Sequence, residues 1–166
     1  MKSPFYALTH SFAALATLLL CACGTASTLT SKPNDSHYKS TYIQVERAES
    51  DTPISQENLS FFDQELKTEL YFEENPFYKG DGLILSYKFI THKEGDKLKR
   101  FATFGTSHEA EATMVIETTF FAPRSKEISK IETHAFVTGG PLGGSIKEAL
   151  EKAAREIAQY AKLNFK

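Results

Sequence analysis

The residues with the clearest chemistry are two cysteines, Cys21 and Cys23, which lie two positions apart and are the only thiols of the chain. A pair at this spacing could form a disulfide or contribute to a metal site. Exported proteins commonly use their cysteines in disulfide pairs, but no cysteine follows Cys23. A lone cysteine at the start of a mature chain has acylation as its clearest use, so the cleavage site decides what Cys23 does.

The segment that precedes the cysteines predicts export. Lys2 gives a weakly positive start, residues 12–22 form an apolar run, and small residues follow, as is typical of a secretory signal. The run is shorter than the roughly 20 apolar residues that a transmembrane helix needs, and no later segment of the sequence is as apolar over that length. We therefore expect residues 1–22 to be a signal peptide.

Cys23 is the expected attachment site of a lipid. The run Leu20-Cys21-Ala22-Cys23 resembles the bacterial lipobox, in which leucine stands three places before an acylated cysteine and a small residue directly before it. Cys21 fits less well, because the residue directly before it is the large Leu20. The resemblance implies cleavage before Cys23 and a thioether-linked diacylglyceryl group on its sulfur. Ordinary signal-peptidase cleavage among residues 22–26 is the alternative.

A lipid on Cys23 would hold the protein at a membrane. Each buried methylene contributes about 0.8 kcal/mol, and two or three acyl chains together give stable attachment. Gly24 follows Cys23, whereas the sorting rule of enteric bacteria uses aspartate at that position to retain a lipoprotein in the inner membrane. The sequence therefore predicts a lipoprotein that is anchored through Cys23 to the periplasmic side of the outer membrane.

A glycine-rich run at residues 139–145 is the second segment that could do chemistry. Between a strand and a helix, such a run can direct backbone amides at a phosphate, which makes Gly143, Gly144 and Ser145 candidate ligand-binding residues. A Walker-type loop needs lysine and then a hydroxyl residue directly after its last glycine, but Lys147 comes too late. The alternative is a turn followed by a capped helix. Anion or nucleotide binding, with or without catalysis, is the second functional hypothesis.

Other catalytic and metal-binding patterns are weak in this sequence. His92, His108 and His134 could in principle converge on a metal ion, but none has the short spacing of a metal motif. Neither a nucleophile elbow nor a zinc-protease helix motif occurs. We therefore predict no metal site and no cofactor, and we favour a binding or scaffold role over catalysis.

Two amphipathic helices are expected to support the domain. The first starts after residue 51, with Thr52 or Ser55 as its cap, and its apolar stripe consists of Leu59, Phe62, Leu66 and Leu70. Ser145 and Glu148 have the spacing of a capping box, which predicts the start of a long second helix. Its inner stripe consists of Ile146, Leu150, Ala153, Ile157 and Ala161.

Alternation of apolar and polar residues predicts the strands. They are residues 41–48, 83–92, 109–121 and 128–138, with 98–105 as an ambiguous segment. Residues 24–40 are rich in serine, threonine and turn formers, so residues 23–40 are interpreted as a lipidated cysteine with a flexible tether, and 41–166 as a single domain. This order predicts the α+β class, with a mainly antiparallel four- to five-stranded sheet and two helices packed on one face.

Several aromatic side chains do not fit the predicted apolar stripes. They are Phe61, Phe72, Phe77, Tyr78, Phe121 and Phe136. Some of them are candidates to line a groove or to contact a partner. The alternative is that they belong to the core and that the predicted registers are displaced.

The C-terminal half carries a combination of features with a known counterpart. These are the sequence RFATFG at residues 100–105, a long strand to Phe121, the glycine-rich run 139–145, and a helix that ends near Tyr160 and Phe165. In these features the chain resembles the bacterial envelope lipoproteins grouped as the domain of unknown function forty-four-ten. The resemblance implies an anchored envelope protein and carries no established catalytic residues.

The overall charge narrows the classes of partner. The formal net charge is -2 at pH 7, which gives no support for nucleic-acid binding, since that usually requires a strongly basic face. The sequence thus predicts a non-enzymatic envelope lipoprotein, held to the membrane through Cys23, whose domain binds or scaffolds another envelope protein.

Overall fold

The computed structural model describes residues 25–93, 112–124, 126–137 and 145–166. Six strands and two helices lie in these ranges. In chain order they are β1 Thr25–Lys32, β2 Tyr42–Arg47, α1 Gln56–Tyr71, β3 Tyr78–Lys79, β4 Leu83–Lys93, β5 Ala112–Ala122, β6 Lys126–Val137 and α2 Ile146–Phe165. The predicted signal peptide 1–22, Cys23 and the ambiguous segment 98–105 lie outside the described residues.

One mixed sheet contains these six strands in the order β1-β6-β5-β4-β2-β3. Neighbours are antiparallel from β1 to β4, whereas β2 pairs in parallel with both β4 and β3. The parallel pair β2–β4 follows from α1, which carries the chain back to the end of the sheet where β2 began. The predicted α+β class with two helices is confirmed, but the sheet formed by the described residues is mixed and has six strands rather than four or five.

Residues 25–32 form the edge strand β1, so the predicted flexible tether is wrong for this segment. The strand pairs with β6 along its length, and Thr28 Oγ1 lies 3.0 Å from Thr133 Oγ1. Threonine has a high strand propensity, and an edge strand tolerates polar side chains because much of it stays in water. The described fold therefore includes residues 25–40, which precede the predicted domain start at residue 41.

Residues 33–40 connect β1 to β2 along the last turn of α2. The side-chain amide of Asn34 donates to the carbonyl oxygens of Tyr38 at 3.1 Å and Asn164 at 3.0 Å. The backbone N–H of Ser40 donates to the carbonyl of Phe165 at 2.7 Å. These contacts hold the connection against the domain, which again differs from the predicted tether.

Helix α1 packs its predicted stripe against the sheet. Ser55 is the N-cap, and its hydroxyl accepts a hydrogen bond from the N–H of Asn58 at 3.2 Å. The Phe62 ring lies 4.9 Å from the ring of Tyr87 and 5.3 Å from that of Phe89, both on β4. All four predicted stripe residues are buried: Leu59, Phe62, Leu66 and Leu70.

Helix α2 covers the same face of the sheet. Its Phe165 ring lies 4.7 Å from the ring of Phe120 on β5, and Phe120 is the register partner of Leu85, which is buried in the same core. Of the predicted inner stripe, Leu150, Ala153, Ile157 and Ala161 are buried, and Ile146 is partly buried against the core. The prediction that both helices pack on one face is therefore confirmed.

The two helices run in the same direction, which gives the domain two distinct ends. Ion pairs join Lys147 to Glu57 at 2.7 Å near the helix starts and Arg155 to Glu69 at 3.1 Å further along. We call the end where β1 begins the Thr25 end; β6 and β4 finish there, and both helices start there. The opposite end, where β2 begins and both helices finish, is the Tyr42 end.

Candidate functional site

The residues predicted to carry chemistry are only partly within the described ranges. Cys23, Gly143 and Gly144 lie outside them. Ser145 is the N-cap of α2: its hydroxyl accepts from the N–H of Glu148 at 3.2 Å, and its own N–H donates to the Glu148 carboxylate at 3.1 Å. The predicted capping box is confirmed, and it places a carboxylate beside the amides that an anion would need. Ligand binding at this position stays a prediction.

The histidines considered for metal binding lie on different strands. His92 is on β4 and His134 on β6, with β5 between them, and His108 lies outside the described residues. The Nε2 atom of His134 is 3.7 Å from a carboxylate oxygen of Glu132. Within the described ranges, no group of three or more histidine, cysteine, aspartate or glutamate residues is arranged to hold a metal ion. In the same ranges, neither helix carries an apolar stretch long enough to cross a bilayer.

Exposed apolar side chains are concentrated at the Tyr42 end. In the described part of the chain, five large hydrophobic side chains are exposed. One of them, Leu29 on β1, is 59% exposed and lies away from this end. The other four are Tyr42 at 49%, Phe72 at 81%, Tyr78 at 64% and Leu163 at 72%. We call these four residues the aromatic end surface. They come from the start of β2, the residue after α1, the short strand β3 and the last turn of α2.

Tyr42 and Tyr78 are direct neighbours within the aromatic end surface. They are register partners in the parallel pair β2–β3, with ring centroids 5.8 Å apart at an interplanar angle of 43°. The N–H of Tyr78 donates to the carbonyl of Thr41 at 2.8 Å, which fixes the backbone of the pair. Backbone pairing thus holds both rings side by side at the surface.

Glycines allow the chain after β3 to approach Tyr42 closely. A Cβ at Gly82 would lie 2.6 Å from the Tyr42 carbonyl oxygen and in direct collision with the Ser40 hydroxyl. A Cβ at Gly80 would lie 3.1 Å from the Tyr42 ring. Only a residue without a side chain fits at position 82 without displacement of its neighbours.

The segment that carries Phe72 is also fixed to the body of the domain. Phe77 is buried, and its N–H donates to the carbonyl of Leu70 at 2.8 Å. Lys162 donates to the carbonyl of Glu74 at 2.7 Å, and Lys166 donates to that of Pro76. Apolar groups of the aromatic end surface are therefore presented on an ordered scaffold.

Charged side chains surround the aromatic end surface. Lys39, Lys79, Glu73 and Glu74 are exposed there, so both signs of charge are present. Burial and the neighbouring charge of Lys162 lower the pKa of Lys166. Exposed apolar side chains close in the fold to charges of both signs are typical of protein–protein interfaces.

A hollow of about 380 Å³ between the helices adjoins this surface. Arg155 crosses it, donating to Glu69 at 3.1 Å and Glu151 at 3.1 Å, and the hydrogen bond to Glu69 raises the pKa of Arg155. Leu163 lies on its wall. The guanidinium group of Arg155 thus joins the two helices.

A second hollow, of about 320 Å³, lies where α1 meets β2 and includes Lys67 and Tyr71. Lys67 pairs with Asp63 at 2.5 Å, and the Tyr71 hydroxyl donates to the carbonyl of Ile43 at 3.2 Å. Burial, followed by the charge of Asp63, raises the pKa of both Tyr71 and Tyr87. The Tyr71 hydroxyl thus joins α1 to the sheet, whereas the pair of Lys67 with Asp63 lies within α1.

The sheet face opposite the helices differs in character from the aromatic end surface. Lys88 donates to Asp51 at 2.8 Å and lies 3.7 Å from Glu117, which also pairs with Lys130 at 2.9 Å. The hydrogen bond to Asp51 raises the pKa of Lys88. These charges on the outer face are paired with one another.

Sequence reasoning found part of the aromatic end surface. Among the six aromatic residues left without a place in the predicted stripes, Phe72 and Tyr78 are exposed, Phe77 is buried, and Phe61, Phe121 and Phe136 are partly buried. Tyr42 and Leu163 were missed. Tyr42 lies within the predicted strand 41–48, on the polar face opposite Ile43, which was the available signal, and no pattern marked Leu163.

Comparison with known proteins adds no relative for this chain. No family model matches it, and no curated protein matches it. Two solved structures of PelC dodecamers from Paraburkholderia phytofirmans show weak similarity to this chain. One is 13% identical, with a TM-score of 0.43, covering 86% of this chain and 98% of that chain. The other is 13% identical, with a TM-score of 0.41, covering 86% of this chain and 99% of that chain.

Proposed function

We propose that the protein is a non-enzymatic lipoprotein of the outer membrane, which faces the periplasm and binds another envelope protein through the aromatic end surface. The lipobox at Cys23 and the resemblance to the envelope lipoproteins of the domain of unknown function forty-four-ten support the anchor and the location. The concentration of exposed apolar side chains at one end of the domain supports the binding role, and it is the observation on which the proposal rests.

Exposure of four large apolar side chains in one region has an energetic cost. Burial of apolar area in a partner contributes roughly 25 cal/mol per Å², and contiguous exposed apolar patches on soluble domains commonly mark interaction sites. Tyrosine is enriched among the residues that dominate binding energy. The pair Tyr42 and Tyr78 offers two such side chains side by side.

The fixed backbone of the aromatic end surface also favours binding. The backbone contacts of Tyr78 with Thr41 and of Phe77 with Leu70 hold the surface in place before any partner arrives. A preorganised surface loses less conformational entropy on association, so more of the contact energy appears as affinity.

The anchor is tested by metabolic labelling with palmitate. Wild type should incorporate the label and Cys23→Ser should not. Cys21→Ser is the matched control and should still be labelled, because that cysteine lies in the predicted signal peptide. Equal labelling of wild type and Cys23→Ser, or no label in either, contradicts the anchor.

The binding surface is tested by site-specific photocrosslinking in cells. A photoreactive amino acid replaces Tyr78 in one strain and Leu29 in another, since Leu29 is exposed to a similar degree away from the surface. Position 78 should yield a discrete adduct with one envelope protein, identified by mass spectrometry, and position 29 should not. The same adducts at both positions, or none at position 78, contradict the proposed surface.

A further inference from the structure

We infer that the Thr25 end of the domain lies against the lipid surface and that the aromatic end surface points away from it. The inference rests on the proposed lipid anchor at Cys23. The Thr25 end contacts the lipid headgroup layer of the membrane in which the acyl chains are embedded. This orientation is supported by the short length of chain between Cys23 and β1, the first strand of the described residues.

That length is very short. Thr25 is already the first residue of β1 and is the register partner of Phe136 on β6. Only Gly24 separates Cys23 from Thr25, and a fully extended chain covers at most about 3.6 Å per residue step, or about 7 Å over these two steps. The sequence alone predicted a flexible tether here, which would have let the domain rotate freely above the bilayer.

β1 is fixed to the sheet at several points along its length. Its threonine Thr28 contacts Thr133, the carbonyl of Lys32 accepts from the Ser129 hydroxyl at 2.8 Å, and Lys32 pairs with Glu127 at 3.0 Å. Detachment of β1 would break these contacts together with the ladder to β6. The short connection therefore constrains the whole domain and not the strand alone.

The dimensions of the elements set the distance to the other end. The eight residues of β1 span about 26 Å at the rise of a strand. The twenty residues of α2 span about 30 Å at the rise of a helix. Because α2 finishes at the Tyr42 end, the aromatic end surface lies on the order of 30 Å from the anchor.

This orientation restricts what can reach the aromatic end surface. Two copies anchored in the same leaflet point the same way, so their aromatic end surfaces cannot meet face to face. A protein approaching from the periplasm meets Tyr42 and Tyr78 directly, while the bilayer itself does not. Neither the lipid surface nor the same end of a second anchored copy can therefore cover the aromatic end surface, which leaves another envelope protein as its partner.

The test measures fluorophore quenching on the lipidated full-length protein in vesicles of phosphatidylethanolamine and phosphatidylglycerol. A spin-labelled headgroup lipid is the quencher. Acylation blocks the thiol of Cys23, so a cysteine introduced by Ser27→Cys or Lys79→Cys takes the fluorophore alone. Both positions are exposed, the first in β1 near the Thr25 end and the second in β3 at the Tyr42 end. Circular dichroism melting of each variant establishes that the fold is kept.

Quenching should be several-fold stronger at position 27 than at position 79. A flexible insertion of about 15 glycine and serine residues between Gly24 and Thr25 spans roughly 20 Å and should bring the two values close together. Equal quenching without the insertion, or stronger quenching at position 79, overturns the orientation. A large difference that persists with the insertion overturns the role of the short connection. Failure of the wild-type chain to incorporate palmitate is a different result, since it refutes the anchor and hence the proposed function.

Discussion

Tyr42 and Tyr78 lie opposite each other on neighbouring parallel strands, with ring centroids 5.8 Å apart and with both rings exposed to water. Their separation in sequence means that only the sheet brings them together. Neither ring is needed to fill the core, which is formed by other residues. Substitution of Tyr42 or Tyr78 is therefore expected to leave the stability of the fold unchanged and to lower the affinity for the partner.

Tyr78→Ser should leave the fold intact and weaken partner binding. Loss of an aromatic contact that dominates an interface costs about 2 kcal/mol or more, which is a loss of about 30-fold or more in affinity. With a photoreactive amino acid at position 72 in both backgrounds, the crosslink should be much weaker in Tyr78→Ser, while the melting temperature should stay close to that of the same protein with Tyr78. Leu29→Ser is the matched control, and a similar fall in that variant would contradict a specific role for Tyr78.

Gly82→Ala should destabilise the domain. The added Cβ meets the Tyr42 carbonyl oxygen at 2.6 Å and collides with the Ser40 hydroxyl, so the backbone of β2 or β4 has to shift. Overpacking of this kind costs about 1–3 kcal/mol, measured as a lower free energy of unfolding in urea. Asp81→Ala, at an exposed neighbouring position, should have a small effect. Equal stability of Gly82→Ala and wild type would show that this close approach is absent.

Phe62 and Phe72 are a matched pair of the same residue type. Phe62 is fully buried between α1 and β4, while Phe72 is 81% exposed. Phe62→Ala should lower the free energy of unfolding by about 3–5 kcal/mol. Phe72→Ala should change it little, since its ring loses few contacts. Comparable losses in the two variants would contradict the assignment of Phe72 to the surface.

The contrast between Phe62 and Phe72 shows when the burial of a side chain can be predicted from the sequence. Phe62 belongs to a stripe with helical period, and the period alone indicates its buried face. Phe72 follows the last turn of α1, where the period no longer applies, so its exposure depends on which elements pack nearby. Periodicity predicted α1, α2 and the strands β4, β5 and β6 for this reason.

The features that were missed depend on pairing between distant segments. β1 has an exposed, polar pattern that composition alone cannot distinguish from a tether, and it becomes a strand because β6 offers an open edge. The two-residue strand β3 is too short to have a period. Because Tyr42 meets Tyr78 only through β3, the candidate surface could not be assembled from local patterns.

Ser145→Ala tests both interpretations of the glycine-rich run. The capping box satisfies two backbone N–H groups at the start of α2, and loss of the hydroxyl should cost about 0.5–2 kcal/mol in the free energy of unfolding. In a thermal-shift assay, phosphate should stabilise wild type no more than it stabilises Ser145→Ala, because the Glu148 carboxylate already bonds the Ser145 N–H at 3.1 Å. A phosphate-induced rise in melting temperature that requires Ser145 would instead support anion binding at this helix start.

Glu57 and Lys147 join the starts of the two helices, and their ion pair gives stability a defined dependence on pH. The hydrogen bond from Lys147 at 2.7 Å lowers the pKa of Glu57 below its ordinary value of 4.5. A carboxyl group whose pKa is lower in the folded than in the unfolded chain contributes stability above the unfolded pKa, and this contribution is lost as pH falls through the folded pKa. At pH 7, Glu57→Gln should therefore unfold at a lower urea concentration than wild type. This gap between the two urea midpoints should be small, because the ion pair is exposed. It should close as the pH falls below 4.5 and through the lowered pKa of Glu57. Urea titrations at several pH values measure the gap, and Glu73→Gln is the control at an exposed carboxylate near the opposite end. A gap of constant size across this range would mean that the loss comes from packing of the side chain and not from its charge.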